Sequence, residues 1–252
     1  MLEELLRLNV FAFFMIFARV GTAIMFLPGF SATYIPTQFR LSLALAISFV
    51  VFPVIAARLP LPPASPAELF LLLGGEIVVG SFFGLIMRVL ISSLQTAGTI
   101  ASLSSSLANA LIQDPIAEQQ SSTISGFLLT IGLVMIFVSD LHHLMLRGVL
   151  ETYAMFEPGQ RLPFNDFAEL MARQVADSFA LGLQLAAPFV VVGLTYYIGL
   201  GLLGRLMPQL PVFFFGLPLQ ITVQMSVFTI TLSGIMLAFL QNFQESVHRF
   251  VP

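Results

Sequence analysis

The chain has no cysteine, no lysine and little charge of either sign. The absence of cysteine excludes disulfides and thiolate metal sites anywhere in the 252 residues. All ten cations are arginine and they form no basic run, so nucleic acid is not expected as a partner. Charged residues make up only 9% of the chain, whereas soluble globular domains carry about 25%. Such a chain does not have enough polar side chains to cover an apolar core.

What the chain has in abundance is apolar side chains. Hydrophobic residues make up 58% of it, and the mean hydropathy is +0.97. The surroundings of the folded chain must therefore be lipid, other protein or both. Near the start, Glu3 and Glu4 stand where a signal peptide has cations, so we expect the first hydrophobic segment to be retained. These properties predict a protein of the membrane type.

We expect an all-α fold built from membrane-type helical hairpins. A helix needs about 20 mostly apolar residues to cross a bilayer. About six long apolar segments come near this length, and prolines mark most of the joints between them, where broken or re-entrant pieces are expected. The predicted segments are Val10–Leu27, Leu41–Ala57, Leu69–Leu94, Ile124–Leu150, Phe179–Leu203 and Val212–Leu240.

The stretch after the third segment is rich in serine and alanine but keeps leucines at helical spacing. One straight helix from Leu69 to Gln113 would be about 68 Å long, far more than a bilayer core of about 30 Å. We therefore predict that the chain bends or folds back near Gln95–Gly98 and that the helix ends at Asp114-Pro115. Thr99–Gln113 would then be a mildly apolar hairpin arm and not a span.

A second irregular stretch has the sequence LMPQLPVFFFGLPLQ, from Leu206 to Gln220. Proline removes a backbone donor and clashes with the preceding turn, so no straight helix is expected through it. We predict a rigid re-entrant turn that phenylalanines pack into neighbouring protein, because irregular backbone at membrane depth must be buried or face water. Arg205 precedes the turn, at a helix C-terminus that favours a cation. The other predicted turn and partner-contact residues are Pro208, Gln209, Phe213, Phe214, Phe215, Gly216 and Pro218.

The last segment carries hydroxyl side chains on one face. Thr222, Ser226, Thr229 and Ser233 follow the spacing i, i+4, i+7, i+11, which keeps them within one narrow arc of a helix. The hydroxyls either bond back to their own helix or face neighbouring helices or an aqueous lumen. Both interpretations are open from the sequence.

Glycines in two segments have the spacing of close helix contacts. Gly80 and Gly84 form a small-xxx-small pair, which lets helix backbones approach closely in lipid. The fifth segment carries a further group of glycines, at Gly193, Gly199, Gly201 and Gly204. An ordinary frequency of glycine in membrane helices is the alternative interpretation.

Charges inside the apolar segments are the candidates for chemistry. Glu76 and Arg88 lie about 18 Å apart along one helix, so each needs a partner elsewhere. Asp140 with His142 and His143 raises the possibility of a metal site or proton relay, but adjacent histidines point about 100° apart on a helix. We interpret these groups as structural polar contacts and expect no metal, no cofactor and no enzymatic activity, since no catalytic motif is present.

Three motifs, in order along the chain, resemble those of the FliR family of flagellar biosynthesis proteins, which includes export-gate proteins of virulence type III secretion. They are RVGTAIMFLPGFSATYIPTQFRLSLALAIS from Arg19, DPIAEQQSSTISGFLLTIGLVMIFVSDLHHLMLRGV from Asp114, and ALGLQLAAPFVVVGLTYYIGLGLLGRLMPQLPVFFFGLPLQI from Ala180. Pro211 and Gln220 depart from the family pattern, which puts in doubt any salt bridge that the family makes at Gln220.

The resemblance implies a single export-gate domain over residues 1–252, with a FliP-like part (1–150) and a FliQ-like helical hairpin part (151–252). It implies a structural, pore-forming subunit that passes unfolded flagellar proteins, rod and hook proteins first, across the bacterial inner membrane. The implied location is the flagellar basal body, largely above the bilayer plane. The implied partners are FliP, FliQ, FlhB and FlhA. An injectisome homologue is the alternative, and a small-solute transporter is a more distant one.

The family resemblance also places a pore plug in the serine- and alanine-rich arm (98–115). Small side chains and few charges would let such a segment fill a narrow pore and withdraw from it. A plain connector between helices is the alternative. The plug residues implied are Ser104, Ser105, Ser106, Leu107, Ala108, Asn109, Ala110, Leu111, Ile112 and Gln113.

Overall fold

The computed structural model describes residues 2–32, 34–63, 65–105, 123–209 and 212–250, with side chains described throughout except at 2–9 and 212–215. These ranges contain seven α-helices, a short 3-10 turn at Ala56–Arg58 and no strand. The all-α expectation is therefore confirmed. The helices are α1 Leu2–Phe26, α2 Thr37–Ile55, α3 Pro66–Ser104, α4 Thr123–Val138, α5 Leu141–Met155, α6 Phe164–Leu206 and α7 Val212–His248.

Most of the predicted apolar segments form helices of membrane-spanning length. Four helices in the described part are long and apolar enough to cross a bilayer, or five if α4 and α5 count as one broken span. In α1, the apolar part Val10–Phe26 is shorter. Only 22–39% of the residues in the most apolar stretch of each long helix are buried by the chain itself. Most of that apolar surface is thus left for lipid or for other subunits.

The fourth predicted segment, Ile124–Leu150, is broken where a single helix was expected. Helix α4 ends at Val138 and α5 begins at Leu141. Between them Asp140 adopts a left-handed backbone conformation with φ 58°, which ends the α-helical path. Aspartate tolerates this conformation better than most residues, so the break occurs without proline or glycine.

The chain does not fold back near Gln95–Gly98, so that prediction is wrong. Helix α3 runs through these residues to Ser104, and the Ser105 N–H still donates to the Ala101 carbonyl at 3.0 Å. Gly98 serves as a contact residue, because a Cβ there would overlap the backbone of Ser125 on α4. The predicted helix end at Asp114-Pro115 lies outside the described residues.

The chain forms two compact units. The first comprises residues 1–90, 139–174 and 244–252, and the second comprises 91–138 and 175–243. This division is not the one at residue 150 inferred from family resemblance. The division at residue 150 separates a part that resembles FliP from a part that resembles FliQ, and it stays a prediction.

In the first unit, α1 packs on α3 through the predicted glycine pair. A Cβ on Gly80 would overlap the carbonyl oxygen of Arg19, and one on Gly84 would lie 2.6 Å from the Phe26 Cβ. From Gly80 to Gly84 on α3, the contacted residue on α1 moves from Arg19 to Phe26, so the residue numbers increase in the same direction on both helices. Helices α1 and α3 therefore run parallel here. Gly148 of α5 similarly makes room for the ring of Phe83.

In the second unit, glycines and small polar residues join α3 to α4 and α6. Gly182 of α6 faces α3, where a Cβ would lie 2.9 Å from the Ser93 carbonyl oxygen. The Ser125 hydroxyl of α4 donates to the Gln95 carbonyl at 3.2 Å. By contrast, Gly199, Gly201 and Gly204 of α6 have nothing within 4 Å of a Cβ position, so those glycines make no close helix contact within the described chain.

The α1–α3 contact predicts opposite effects for two glycines of the same helix. Gly80→Ala should destabilise the chain by about 1–3 kcal/mol, because the added methyl group overlaps the α1 backbone. Gly74→Ala should be neutral or stabilising by up to about 1 kcal/mol, since nothing lies within 4 Å of its Cβ position and alanine favours the helix. Thermal unfolding of the purified chain measures both, and equal shifts for the two variants would contradict the contact.

Candidate functional site

A fully buried ion pair lies at the centre of the first unit. Arg19 of α1 donates through Nε to the Glu76 Oε2 atom at 2.7 Å and through Nη2 to Oε1 at 2.9 Å. Arg19 is 1% exposed and Glu76 is 2% exposed. This two-pronged geometry suits a guanidinium and a carboxylate, and it neutralises both charges where water does not reach them. The predicted need of Glu76 for a partner outside its own helix is confirmed.

Helix α5 completes the surroundings of the Arg19 guanidinium. Its Nη2 also donates to the carbonyl oxygen of Phe156 at 3.0 Å, at the C-terminal end of α5. Nη1 lies 3.4 Å from the Thr152 hydroxyl oxygen, and the Tyr153 ring covers the guanidinium with its centroid 3.9 Å from Cζ. One side chain of α1 therefore fixes the positions of α3 and α5.

The remaining charges within the apolar segments are not buried. Arg88 of α3 is exposed and forms no ion pair with any residue that the structure describes. Asp140 and His143 are also exposed, with 3.5 Å between the Asp140 Oδ1 and His143 Nδ1 atoms. A structural polar contact of the kind expected for these groups is thus present in the buried Arg19–Glu76 pair and in the exposed contact between Asp140 and His143.

Two buried glutamines of α7 hold the C-terminal end of α3 in the second unit. The Gln220 Nε2 atom donates to the Ser104 carbonyl oxygen at 2.8 Å. Gln224 Nε2 lies 3.5 Å from the same oxygen and 3.2 Å from the Phe189 carbonyl oxygen of α6. The two glutamines are 1% and 2% exposed. They donate to one of the terminal carbonyl groups that an α-helix cannot satisfy with its own N–H groups.

Helix α6 leaves room for this contact at Gly193. A Cβ there would lie 3.2 Å from Gln224 Nε2 and 3.4 Å from the Ser104 carbonyl oxygen. This glutamine pair was not predicted, although two glutamines at i, i+4 in an apolar helix are a usable signal, since polar side chains at membrane depth are costly. Gln220 was noted only as a departure from the family pattern. In this chain the uncharged amide of Gln220 caps the C-terminal end of α3. It does so at the position where any salt bridge made by the family was in doubt.

Three of the hydroxyl residues of α7 bond back to their own helix, which is one of the interpretations that the sequence left open. The other, a face towards neighbouring helices or an aqueous lumen, stays a prediction. Thr222, Ser226 and Thr229 each donate to the carbonyl oxygen four residues earlier, at 2.9 Å. All of them, together with Ser233, are exposed. The buried face of the helix is a different one, and it carries Gln220, Gln224, Phe228, Ile235 and Phe239.

The proline-rich turn is shorter than predicted. Helix α6 ends at Leu206 and α7 already begins at Val212, so Gly216 and Pro218 lie inside a helix and not in the turn. A proline within a helix costs one backbone hydrogen bond and a distortion, which the rest of the long helix α7 tolerates.

The described turn residues Pro208 and Gln209 are exposed, as is Arg205 in the last turn of α6. Gly216 packs on α6: its carbonyl oxygen accepts from the Tyr196 hydroxyl at 2.5 Å, and a Cβ on it would lie 2.9 Å from Leu200 Cδ2. The side chains of Phe213, Phe214 and Phe215 lie outside the described part, so their packing stays a prediction.

Only the first two residues of the predicted plug are described. Ser104 is the last residue of α3, and its hydroxyl donates to the Ile100 carbonyl at 2.9 Å. Ser105 is buried and its hydroxyl donates to the Ser102 carbonyl at 3.0 Å. Residues 106–113 lie outside the described residues. The point at which this segment leaves α3 is the point that Gln220 and Gln224 hold.

Long, mostly uncovered apolar helices with their buried charges paired internally define a membrane-embedded helical protein. Residues 10–246 match the family described as bacterial export proteins, family 1. The chain belongs to this family, which is the FliR family that the sequence motifs resemble.

The relatives cover nearly the whole chain. The chain is 34% identical to the flagellar biosynthetic protein FliR of Caulobacter vibrioides over 242 residues, 96% of each protein. It is 29% identical to the protein of the same name from Bacillus subtilis, over 89% of this chain and 87% of that one. It is 24% identical to the Yop proteins translocation protein T of Yersinia pestis, over 87% and 85%.

The buried ion pair predicts a non-additive pair of substitutions. Glu76→Leu should destabilise the chain by about 3–5 kcal/mol, because it leaves the Arg19 charge buried without a counter-charge. Adding Arg19→Met should recover much of that loss, since no buried charge then remains. Chemical unfolding of the single and double variants measures the coupling.

Arg88→Met is the matched control for the ion-pair experiment, because Arg88 is an exposed arginine on the helix that carries Glu76. Its effect should stay within about 0.5 kcal/mol, as for most surface substitutions. A double variant that loses the full sum of the two single effects would show that the pair does not act as one unit.

The glutamine contact predicts a local loosening at the end of α3. Gln220→Leu leaves the Ser104 carbonyl oxygen without its shortest side-chain donor and should cost about 1–3 kcal/mol. Amide hydrogen exchange should become faster in the last turn of α3, residues 101–105. Gln241→Leu is the control, since Gln241 is an exposed glutamine of the same helix. Equal exchange in both variants would contradict the capping role.

Proposed function

We propose that the chain is a structural, pore-forming wall subunit of the flagellar type III secretion export gate. In this role it has no enzymatic activity and helps to pass unfolded flagellar proteins across the bacterial inner membrane. The observation that carries the proposal is the large apolar surface left uncovered on each long helix, in a chain that belongs to a bacterial export family.

The exposed faces differ in character, as a wall subunit requires. One face of α7 carries exposed hydroxyls at Thr222, Ser226, Thr229 and Ser233, which suits an aqueous lumen better than acyl chains. On α6, the glycines from Gly199 to Gly204 have open space at their Cβ positions. These glycines would let helices of neighbouring subunits approach closely.

We assign the neighbours by family membership. FliP and FliQ would complete the core of the gate, with FlhB and FlhA as further partners and rod and hook proteins as substrates or neighbours. The FliP-like part (1–150) and the FliQ-like part (151–252) would take equivalent places beside those subunits. The gate would lie in the inner membrane at the flagellar basal body, largely above the bilayer plane.

The segment that follows α3 would be the pore plug. Its first residues, Ser104 and Ser105, are held at the end of α3 by backbone and side-chain hydrogen bonds. A fixed point of attachment lets a short segment return to the same place after it has been displaced. The contacts of Gln220 and Gln224 with Ser104 support this assignment, because they hold the residue at which that segment begins in place within the second unit.

A flagellar system is favoured over an injectisome. The chain is 34% and 29% identical to two proteins named flagellar biosynthetic protein FliR. It is 24% identical to the Yop proteins translocation protein T. The greater identity, over more of the chain, lies on the flagellar side.

Deletion of residues 106–113 tests the proposed function. The deletion keeps Ser104 and Ser105 and therefore leaves the contacts with Gln220 and Gln224 intact. FliP and FliQ should copurify with the tagged variant in the same ratio as with the parent chain. Cells that make the assembled variant should leak ions across the inner membrane, because the pore lacks its plug.

The parent chain and cells without the complex are the controls for the leak. An assembled variant that leaks no more than the parent would show that residues 106–113 do not plug the pore. A parent chain that purifies alone, without FliP and FliQ, would overturn the wall-subunit function itself.

A further inference from the structure

We propose that Asp140, His142 and His143 bind a divalent first-row transition-metal ion, with zinc as the best-suited metal. The three residues lie at the start of α5, in the first unit of the chain. This metal site is independent of the export function proposed above, and neither inference requires the other.

The three side chains converge on one point. Each offers one ligand atom, and these atoms all lie within 4.8 Å of one another. The two imidazole rings are 4.0 Å apart between centroids, with an angle of 38° between their planes. Asp140 and His143 are exposed and His142 is half-buried, so a shared ion at zinc-ligand distances of about 2.0–2.2 Å requires adjustment chiefly of the two exposed side chains.

Helical spacing did not reveal this cluster for two reasons. Adjacent positions of a helix project about 100° apart, yet the rings of His142 and His143, both on α5, lie only 4.0 Å apart between centroids. The predicted segment Ile124–Leu150 also placed Asp140 on the same regular helix. Asp140 instead lies outside the helix with φ 58°, and its carbonyl oxygen accepts from the His143 N–H at 3.0 Å. This tight turn brings the Asp140 carboxylate next to both rings of the first helical turn.

The ligand chemistry selects the class of metal. Two imidazole nitrogens and one carboxylate oxygen suit zinc and its neighbours in the first row. Magnesium and calcium prefer sets made of oxygen alone. The chain contains no cysteine and only three histidines, so these two histidines are two of its three possible nitrogen ligands. The third, His248, is at the end of α7 and is not part of the cluster.

The surrounding charges make the Asp140 carboxylate essential to the site. The N-terminal end of α5 carries a partial positive charge. Arg147 lies on the same helix and lines the same cavity as His143. Both disfavour a bound cation, and Asp140 supplies the negative charge that offsets them. Replacing the carboxylate by a neutral amide should therefore weaken binding strongly.

The exposure of the cluster defines the kind of site. The side chains of Asp140 and His143 are 79% and 71% exposed, so the remaining coordination positions are open to water. An open site of three protein ligands binds an exchangeable ion, whereas closed structural zinc sites have four protein ligands. The bound ion would join Asp140 to the first turn of α5 and hold its left-handed conformation.

Zinc titration of the purified full-length chain tests this inference. The chain is isolated in detergent through a tag without histidine and titrated with zinc chloride by calorimetry, in the presence of magnesium. Asp140→Asn, His142→Ala and His143→Ala should each weaken one binding event by at least about tenfold, since even loss of a ligand's hydrogen-bonding support costs that much. His248→Ala should leave the event unchanged.

Cobalt supplies a second readout that does not depend on affinity alone. The visible absorption of bound Co²⁺ reports its ligands, and the bands of the parent chain should be lost in the three cluster variants and kept in His248→Ala. Equal zinc binding in the parent and in all three cluster variants would overturn the proposal. A parent chain that binds zinc no better than the double variant His142→Ala/His143→Ala would do the same.

Discussion

The buried pair of Arg19 and Glu76 is the interaction on which the first unit depends. Removing two charges from water is costly, and the cost is recovered only when the geometry is good and the remaining hydrogen-bonding groups are satisfied. Arg19 meets this condition with Glu76, with the Phe156 carbonyl and with the Tyr153 ring. Because another register of α1 would strand a charge in an apolar interior, the pair fixes one register for three helices. Glu76, Gly80 and Gly84 lie on one face of α3, so charge pairing and close packing select the same register.

In the second unit, too, a buried polar group needs a hydrogen-bond partner, and there the partners are uncharged side chains. The Ser104 carbonyl at the end of α3 needs a donor, and two glutamine amides of α7 approach it from an otherwise apolar helix face. Amides carry no net charge, so their burial costs less than that of an ion pair. They leave the end of α3 tied to α6 and α7. The buried ion pair and the buried glutamine pair thus position the register and the end of helices in a chain with little charge.

Much of the fold could be predicted from the sequence, because apolar length and the cost of buried charge are local properties. The helical segments, the contact through Gly80 and Gly84, and the need of Glu76 for a distant partner all follow from them. The identity of that partner could not be predicted, since only the three-dimensional arrangement brings Arg19 to it. The break at Asp140 has no proline or glycine to signal it, and Gly98 provides close packing where a bend was expected. The glutamine pair had a signal, but one that is visible only when polar residues in apolar helices are examined in pairs.

The hydroxyl bonds on α7 have a consequence for what can pass beside them. Thr222, Ser226 and Thr229 have each committed their proton to a carbonyl of their own helix, so the oxygen atoms that remain exposed have only lone pairs to offer. At these three residues the surface is wettable but has no free donor for the carbonyl groups of an extended chain. In the proposed pore, a polypeptide sliding past them would find no strong point of attachment there, and they would give no preference for one amino-acid sequence over another.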